Sequence, residues 1–202
     1  VTGTLNDVMY QGTAVGSLIV SKADQTITFP AIGDQVATDT VGLAASADSG
    51  LTVAFAVGGG PASIAGGTNL SFTGAGGVSI VASQAGGANW NAAPDITNTF
   101  NVTKAAAQVF LMDLAQVYDG SARLVTATTD PSGLTVEFTY DGGASAPTHA
   151  GTYAVTGTIN DVIYQGSAAG SLIVSKGTAL VYLEDLAQTY DGTPISVTAT
   201  TD

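Results

Sequence analysis

The chain has 202 residues, room for one large domain or two to three small ones. Its net charge of −12, with only Lys22, Lys104, Lys176 and Arg123 as cations, excludes nucleic-acid backbones and anionic membrane surfaces, because counterion displacement needs Lys and Arg. The absence of cysteine excludes disulfides and thiolate chemistry, and no apolar run approaches the ~20 residues of a membrane span.

In chain order, residues 1–22 read VTGTLNDVMYQGTAVGSLIVSK, two short runs around Asn6-Asp7, a pair that suits a tight hairpin. No later stretch sustains the 3.6-residue period of a helix, whereas alternating runs between turn signals recur throughout. Strands are predicted at 25–30, 41–47, 51–57, 69–73, 78–83 and 98–103. The glycine runs GGGP (58–61), AGG (65–67) and GAGG (74–77) read as hairpin turns between them. A second series is predicted at 109–113, 123–128, 134–140, 152–157, 162–164 and 171–175, with Asn160-Asp161 as another tight hairpin. Six or seven strands in so few residues predict an all-β fold of tandem small β-sandwich, immunoglobulin-like modules in an extended array.

The chain repeats itself. Residues 1–22 match 155–176 at 18 of 22 positions, and 104–130 match 176–202 at 17 of 27. Lys22, Lys104 and Lys176 close VSK, VTK and VSK and mark the joints. The predicted organisation is therefore the C-terminal part of one module (1–22), a complete module of a second type (23–104), a complete module of the first type (105–176) and the N-terminal part of another (177–202). With no starting Met, the chain reads as a window on a longer array. Trp90, Tyr164 and Tyr10 each precede a module's closing strand and are predicted to plug its core. Phe100 and Val102, and likewise Leu172 and Val174, are predicted to face inward from those closing strands. Tyr153, in HAGTY, is expected to form a tyrosine corner, its hydroxyl bonded back to nearby backbone.

The run LAQxYDG, followed by AGTYAVTGTINDVIYQGSAAGSLIVSK, resembles the MBG/YDG-type repeats of large bacterial surface proteins. QTITFPAIGD, SGLTVAFAV and GGVSIVASQAGGANWNAAPDITNTFNVTK resemble the bacterial immunoglobulin-like repeats that accompany them; GDQVATDTVGLAASAD lacks the Tyr-Gly-Asp wording common in that loop. The resemblance implies an extracellular, cell-surface structural segment, a spacer in a stalk, fibre, filament or adhesin, with no catalytic residues. The alternatives are a glycan- or receptor-binding module, with Trp90, Tyr140 or Tyr118 stacking on a sugar, and an accessory region of a secreted hydrolase.

Individual residues point the same way. Asp119 and Asp191, in YDG, suit a turn better than a calcium ligand or an acid catalyst. His149 lacks the orienting acid and the nucleophile elbow of a hydrolase, and the glycine runs lack the Lys and helix of a phosphate loop. No catalytic, cofactor-binding or metal-binding residue is expected. The one metal reading is structural calcium at Asp24, Asp34, Asp39, Asp48 and Asp95. The expected partners are neighbouring modules or copies of the same protein, with no membrane insertion and with any glycan or host surface engaged elsewhere in the full protein. The two end segments should leave Val8, Leu18, Val20, Leu183 and Val197 facing solvent or another copy.

Overall fold

The computed structural model describes residues 1–201, in which every regular element is a strand. The chain divides into two compact units, Val1–Ala105 and Ala106 onward.

In the first unit, β1 (Thr2–Asn6) and β2 (Gln11–Val15) form an antiparallel hairpin. Its tip is a four-residue loop, not a two-residue turn: Asp7 N donates to Tyr10 O at 3.0 Å. The module proper follows. It contains β3 (Ile27–Thr28), β4 (Gln35–Val36), β5 (Thr40–Gly42), β6 (Ser46–Ala47) and β7 (Ala54–Gly59). It continues through β8 (Ala62–Ala65), β9 (Asn69–Phe72), β10 (Gly76–Ser83) and β11 (Ile96–Thr103). One layer pairs β3 with β6 and orders β5-β9-β8; the other orders β4-β11-β10-β7. With β5 and β6 taken as one interrupted strand, these are the A-B-E-D and G-F-C layers of an immunoglobulin-type sandwich. The first strand changes layers, so that β4 runs parallel to β11.

Alternation builds the core between the layers. Val78, Ile80 and Ala82 of β10, and Phe100 and Val102 of β11, are buried facing Leu70 and Phe72 of β9. Phe72 and Phe100 meet edge to face, their centroids 6.0 Å apart. Ile27, Ala47, Val53, Ala82 and Ala93 form a cluster flanked by Phe29 and Phe55.

Only one of the three glycine runs turns a hairpin. Gly66 and Gly67 join β8 to β9, but the runs at 58–61 and 74–77 carry the chain from one layer to the other. The two crossings touch: Gly60 sits at φ +91°, and a Cβ there would lie 2.1 Å from the Gly77 carbonyl oxygen.

In the second unit, β12 (Ala105–Ala106) spans the unit boundary. Then come β13 (Gln108–Met112), β14 (Ala115–Val117), β15 (Thr126–Asp130) and β16 (Val136–Tyr140). β17 (Gly151–Ile159), β18 (Tyr164–Gln165) and β19 (Ser167–Ser175) complete the module. The four-stranded layer β14-β19-β17-β16 repeats the arrangement of the first unit, again with its first strand parallel to its last. The opposite layer is only β13-β15, because no strands equivalent to β8 and β9 are present between Tyr140 and Gly151. Asn160-Asp161 opens a longer connection between β17 and β19, in which Asp161 Oδ1 accepts from the N–H groups of Ile163 and Tyr164 at 2.7 and 2.9 Å.

The core of this smaller sandwich is Val125, Tyr140, Val155, Leu172 and Val174, with Leu111, Leu114, Phe138, Ala146 and Tyr153 packed on it. Glycines make room between its layers. A Cβ on Gly157 would lie 3.0 Å from Leu111 Cδ2, and one on Gly170 would lie 3.0 Å from Leu111 Cδ1. Finally, β20 (Val181–Glu184) and β21 (Thr198–Thr201) form a hairpin.

The aromatic-plug expectation fails. Trp90 is half-buried and outside the core cluster, Tyr164 is half-buried and Tyr10 is 71% exposed. The reason is layer geometry: Tyr10 and Trp90 lie in the connections before β2 and β11, and Tyr164 in the short β18 outside the four-stranded layer, whereas the space between the layers is filled from the long strands. Phe72 and Phe100 fill it in the first unit and Tyr140 in the second. Predicted strands at 51–57 and 123–128 begin late, at Ala54 and Thr126, and β4, β8 and β14 were unpredicted.

Candidate functional site

A site would need chemistry-bearing side chains gathered at one point, and the acidic residues are this chain's main supply. They are instead distributed over turns and strand ends, where their oxygens accept backbone N–H groups. Asp39 accepts from Val36 N at 2.8 Å, Asp34 from Asn101 N at 2.8 Å and Asp141 from Ala154 N at 2.7 Å. Asp24 accepts from Asn91 Nδ2 at 2.8 Å. Asp48 accepts from both the N–H and the hydroxyl of Thr26 at 3.0 Å, and these bonds, the backbone one foremost, hold its carboxyl below its usual range. Among the described residues no three His, Asp or Glu side chains converge as a metal site.

The two YDG segments are turns. Asp119 accepts from the N–H and hydroxyl of Ser121 at 2.9 and 2.6 Å and pairs with Arg123, while Gly120 takes φ +86°. Asp191 repeats this on Thr193 at 2.9 and 2.6 Å, and the Thr193 hydroxyl, then its N–H, lowers the Asp191 pKa. Tyr118 is 43% exposed rather than packed beneath its turn.

His149 lies exposed in a loop, its Nδ1 3.2 Å from the Thr148 hydroxyl. Its carbonyl accepts the Tyr153 hydroxyl at 3.0 Å, which is the expected tyrosine corner. Of the three aromatics considered for sugar stacking, Tyr140 is withdrawn: it is 6% exposed, and its hydroxyl accepts the buried Val125 N–H at 3.0 Å. A hollow in the first unit, lined by residues including Leu43, Leu51, Val53, Phe55 and Thr68, carries no titratable group.

Sequence reasoning missed a buried polar network at one end of the first sandwich. Gln25, 2% exposed, donates from Nε2 to Gln84 Oε1 at 2.5 Å and to Asn91 O at 2.6 Å. Its Oε1 accepts the Ser49 hydroxyl, and Gln84 Oε1 also accepts Gly86 N at 2.6 Å. The network fastens three separate segments, and every member is a hydrogen-bond partner rather than a proton donor with a shifted pKa. Nothing in the polar, glycine-rich wording of those segments distinguishes it from surface.

Separate local cores, turn-forming acids and repeated hairpins define a tandem β-sandwich repeat protein. The sequence pattern of the MBG domain matches residues 107–178 and again 179–202, so this part of the chain is similar to MBG-type repeats. No curated protein matches the chain. Among solved structures, Drosophila N-cadherin EC1-4 is similar at 14% identity and TM-score 0.34, over 78% of this chain and 50% of that one. The N-terminal four Ig domains of Dscam1 isoform 6.9 give 14% and 0.34, over 83% and 49%. Mouse protocadherin-24 EC1-3 gives 13% and 0.34, over 87% and 78%. The chain thus spans about half the length of the first two.

Proposed function

We propose that the chain is a structural repeat segment of an extracellular bacterial surface stalk, fibre or adhesin, acting as a spacer. Its modules would be 1–22, 23–104, 105–176 and 177–202, the second a bacterial immunoglobulin-like repeat beside the MBG-type ones. The observation that carries this reading is the use of the acidic side chains: they hold turns, and each complete sandwich closes on its own buried residues. A spacer needs modules that resist extension one at a time and no site that must be reached by a ligand. Its partners would be neighbouring modules or copies of the same protein.

Pulling a single chain between its ends tests this. Two separate unfolding events are expected, each releasing about 25 nm for a module of roughly 75 residues at ~3.4 Å per residue. One event releasing the whole length, or release without resisting force, would reject the spacer reading. A glycan array on which the chain binds, with Tyr118→Ala abolishing the signal, would favour the binding-module alternative instead.

A further inference from the structure

Both units contain the same edge strand in nearly the same words. Residues 49–55 read SGLTVAF and lead into β7; residues 132–138 read SGLTVEF and lead into β16. Each strand is the last of its four-stranded layer, β4-β11-β10-β7 in the first unit and β14-β19-β17-β16 in the second. Such a strand presents a row of unpaired N–H and C=O groups, and proteins commonly guard it with a charge. In the second unit the guard is present: Glu137 stands exposed on β16, where it accepts Asn160 Nδ2 at 2.6 Å. In the first unit its counterpart is Ala54.

The missing charge is not confined to that position. No Asp, Glu, Lys, Arg or His lies between Asp48 and Asp95, a stretch that holds β7, β8, β9 and β10. The chain as a whole carries −12, so two copies repel wherever their acids face each other, and this flank is where they do not. Of the two strands that end a layer here, β8 is four residues long and is entered through Pro61, both of which protect an edge. β7 is open. Its ladder to β10 is regular over 54–57 and shifts at Gly58, and among the described residues no other hydrogen bond reaches 54–59. The core also thins toward this edge. Ile80 and Ala82 on β10 are fully buried, whereas their cross-strand partners Val57 and Phe55 are only half-buried.

We propose that β7 is a docking edge for β7 of a second copy of this chain, paired antiparallel about a two-fold axis through Ala56. Opposed residues of an antiparallel pair share a face, and this register satisfies that throughout. Ala56 meets Ala56 on the outer face. Phe55 meets Val57 twice on the core face, an aromatic against a β-branched side chain. Ala54 falls opposite Gly58, with no charge on either. The contact is isologous and closes as a dimer, joining two four-stranded layers into one sheet. The same axis on β16 would pass through Thr139 and set Glu137 against Asp141 of the other copy, a like-charge pair that opposes docking. The seam is short, so the association is weak between single chains and is best read by trapping it. This inference deepens the reading above, in which copies of the same protein are the partners, by naming the edge they share.

The chain has no cysteine, so a single one reports only contacts between copies. Ala54→Cys and Ala56→Cys are made separately in the full chain; both positions are exposed, so neither substitution disturbs the core. In the proposed register the two copies of residue 56 are opposed, their Cα atoms about 4.5–5.5 Å apart, within disulfide range. The two copies of residue 54 are displaced by roughly 13 Å along the strands, outside it. Under mild oxidation Ala56→Cys should form the covalent dimer about tenfold faster than Ala54→Cys. Adding Ala54→Glu to Ala56→Cys gives the first unit the residue of the second and brings one carboxylate per copy into the seam. It should slow linking about fivefold. Equal rates for the two cysteines overturn the proposal, as does a rate indifferent to Ala54→Glu. If the edge serves a strand of some other protein, Ala56→Cys links no faster than the control, which equally overturns the second copy as occupant. A chain with no preferential linking that still gives two unfolding events under force loses this inference and keeps the spacer reading; one that links in register but unfolds in a single event does the reverse.

Discussion

Tyr140→Phe separates one buried hydrogen bond from the packing that surrounds it. The ring stays, so the Val125, Val155, Leu172 and Val174 cluster keeps its filling. What disappears is the hydroxyl that accepts the Val125 N–H at 3.0 Å in a buried setting, just before β15 begins. That N–H is left without its partner, at a cost of about 1–3 kcal/mol. A module of this size has a total stability of roughly 4–11 kcal/mol, so it should remain folded with its melting temperature lowered by roughly 5–20 °C. Tyr140→Ala also removes the ring and should cost about 3–5 kcal/mol more, through the cavity, enough to unfold the module near room temperature. The chain supplies its own probes. Its one tryptophan, Trp90, reports on the first unit, and six of its seven tyrosines lie in the second. Thermal unfolding followed by tryptophan fluorescence and by tyrosine near-ultraviolet dichroism should show the tyrosine transition moving and the tryptophan transition fixed. A Tyr140→Phe melting point within about 1 °C of the parent, well short of what 1 kcal/mol produces, would refute the role given to the hydroxyl. Equal shifts in both probes would refute independent cores.

Gln25→Ala should lower the first unit's stability by about 2–3 kcal/mol, because the Ser49 hydroxyl and the Asn91 carbonyl lose a buried partner together; urea denaturation read at Trp90 checks this. Gly60→Ala should cost at least about 2 kcal/mol, since it combines a positive φ with a clash against the Gly77 carbonyl, and a parent-like urea midpoint would contradict the contact between the layer crossings. Phe100→Ala should destabilise by about 3–5 kcal/mol and Trp90→Ala by less, because Trp90 stands outside the cluster; equal losses would restore Trp90 as a core plug. The Asp48 carboxyl is lowered by the Thr26 bonds, so its contribution is complete above the ordinary value of 3.8 and is lost as pH falls through the lower folded value. Asp48→Asn should therefore flatten the acid limb of the first unit's stability curve, and an unchanged limb would reject the assignment.

The parts of the fold legible in the sequence are those with a period. β10, β11, β17 and β19 alternate in burial, and the two-residue period of a closing strand was enough to place Phe100, Val102, Leu172 and Val174 inside, where they are. The corner bond of Tyr153 was readable because it is local, spanning four residues. What was not readable depends on partners far away in sequence. β4 and β14 are two and three residues long and exist through parallel pairing with the closing strand, which no period records. Gly58 and Gly59 read as a break, yet they belong to β7, because a Cβ on Gly58 would press on Val81 of the neighbouring strand at 3.0 Å. Gln25 and Gln84 read as surface because a polar residue reveals its burial only when its partners are known.

The smaller module shows why these repeats copy ribbons rather than whole sheets. It dispenses with two strands of one layer, and the loss is tolerated because Leu111 reaches into the slot at Gly157 and Gly170 while Tyr140 closes the remaining gap. Two ribbons then carry most of the fold, one from the start of the module and one from its end, each set by local pairing and local capping. The end segments hold the same registers, and the C-terminal one holds the same Gln hydrogen bonds as well. Backbone geometry is thus fixed within each ribbon, and the ribbons of the complete module are joined by the β14-β19 ladder and by side-chain packing. An array built this way can be extended by repeating the ribbons in order, because what each ribbon requires of its neighbour is the same few side chains every time: a leucine into a glycine slot, and valines and leucines across one interface.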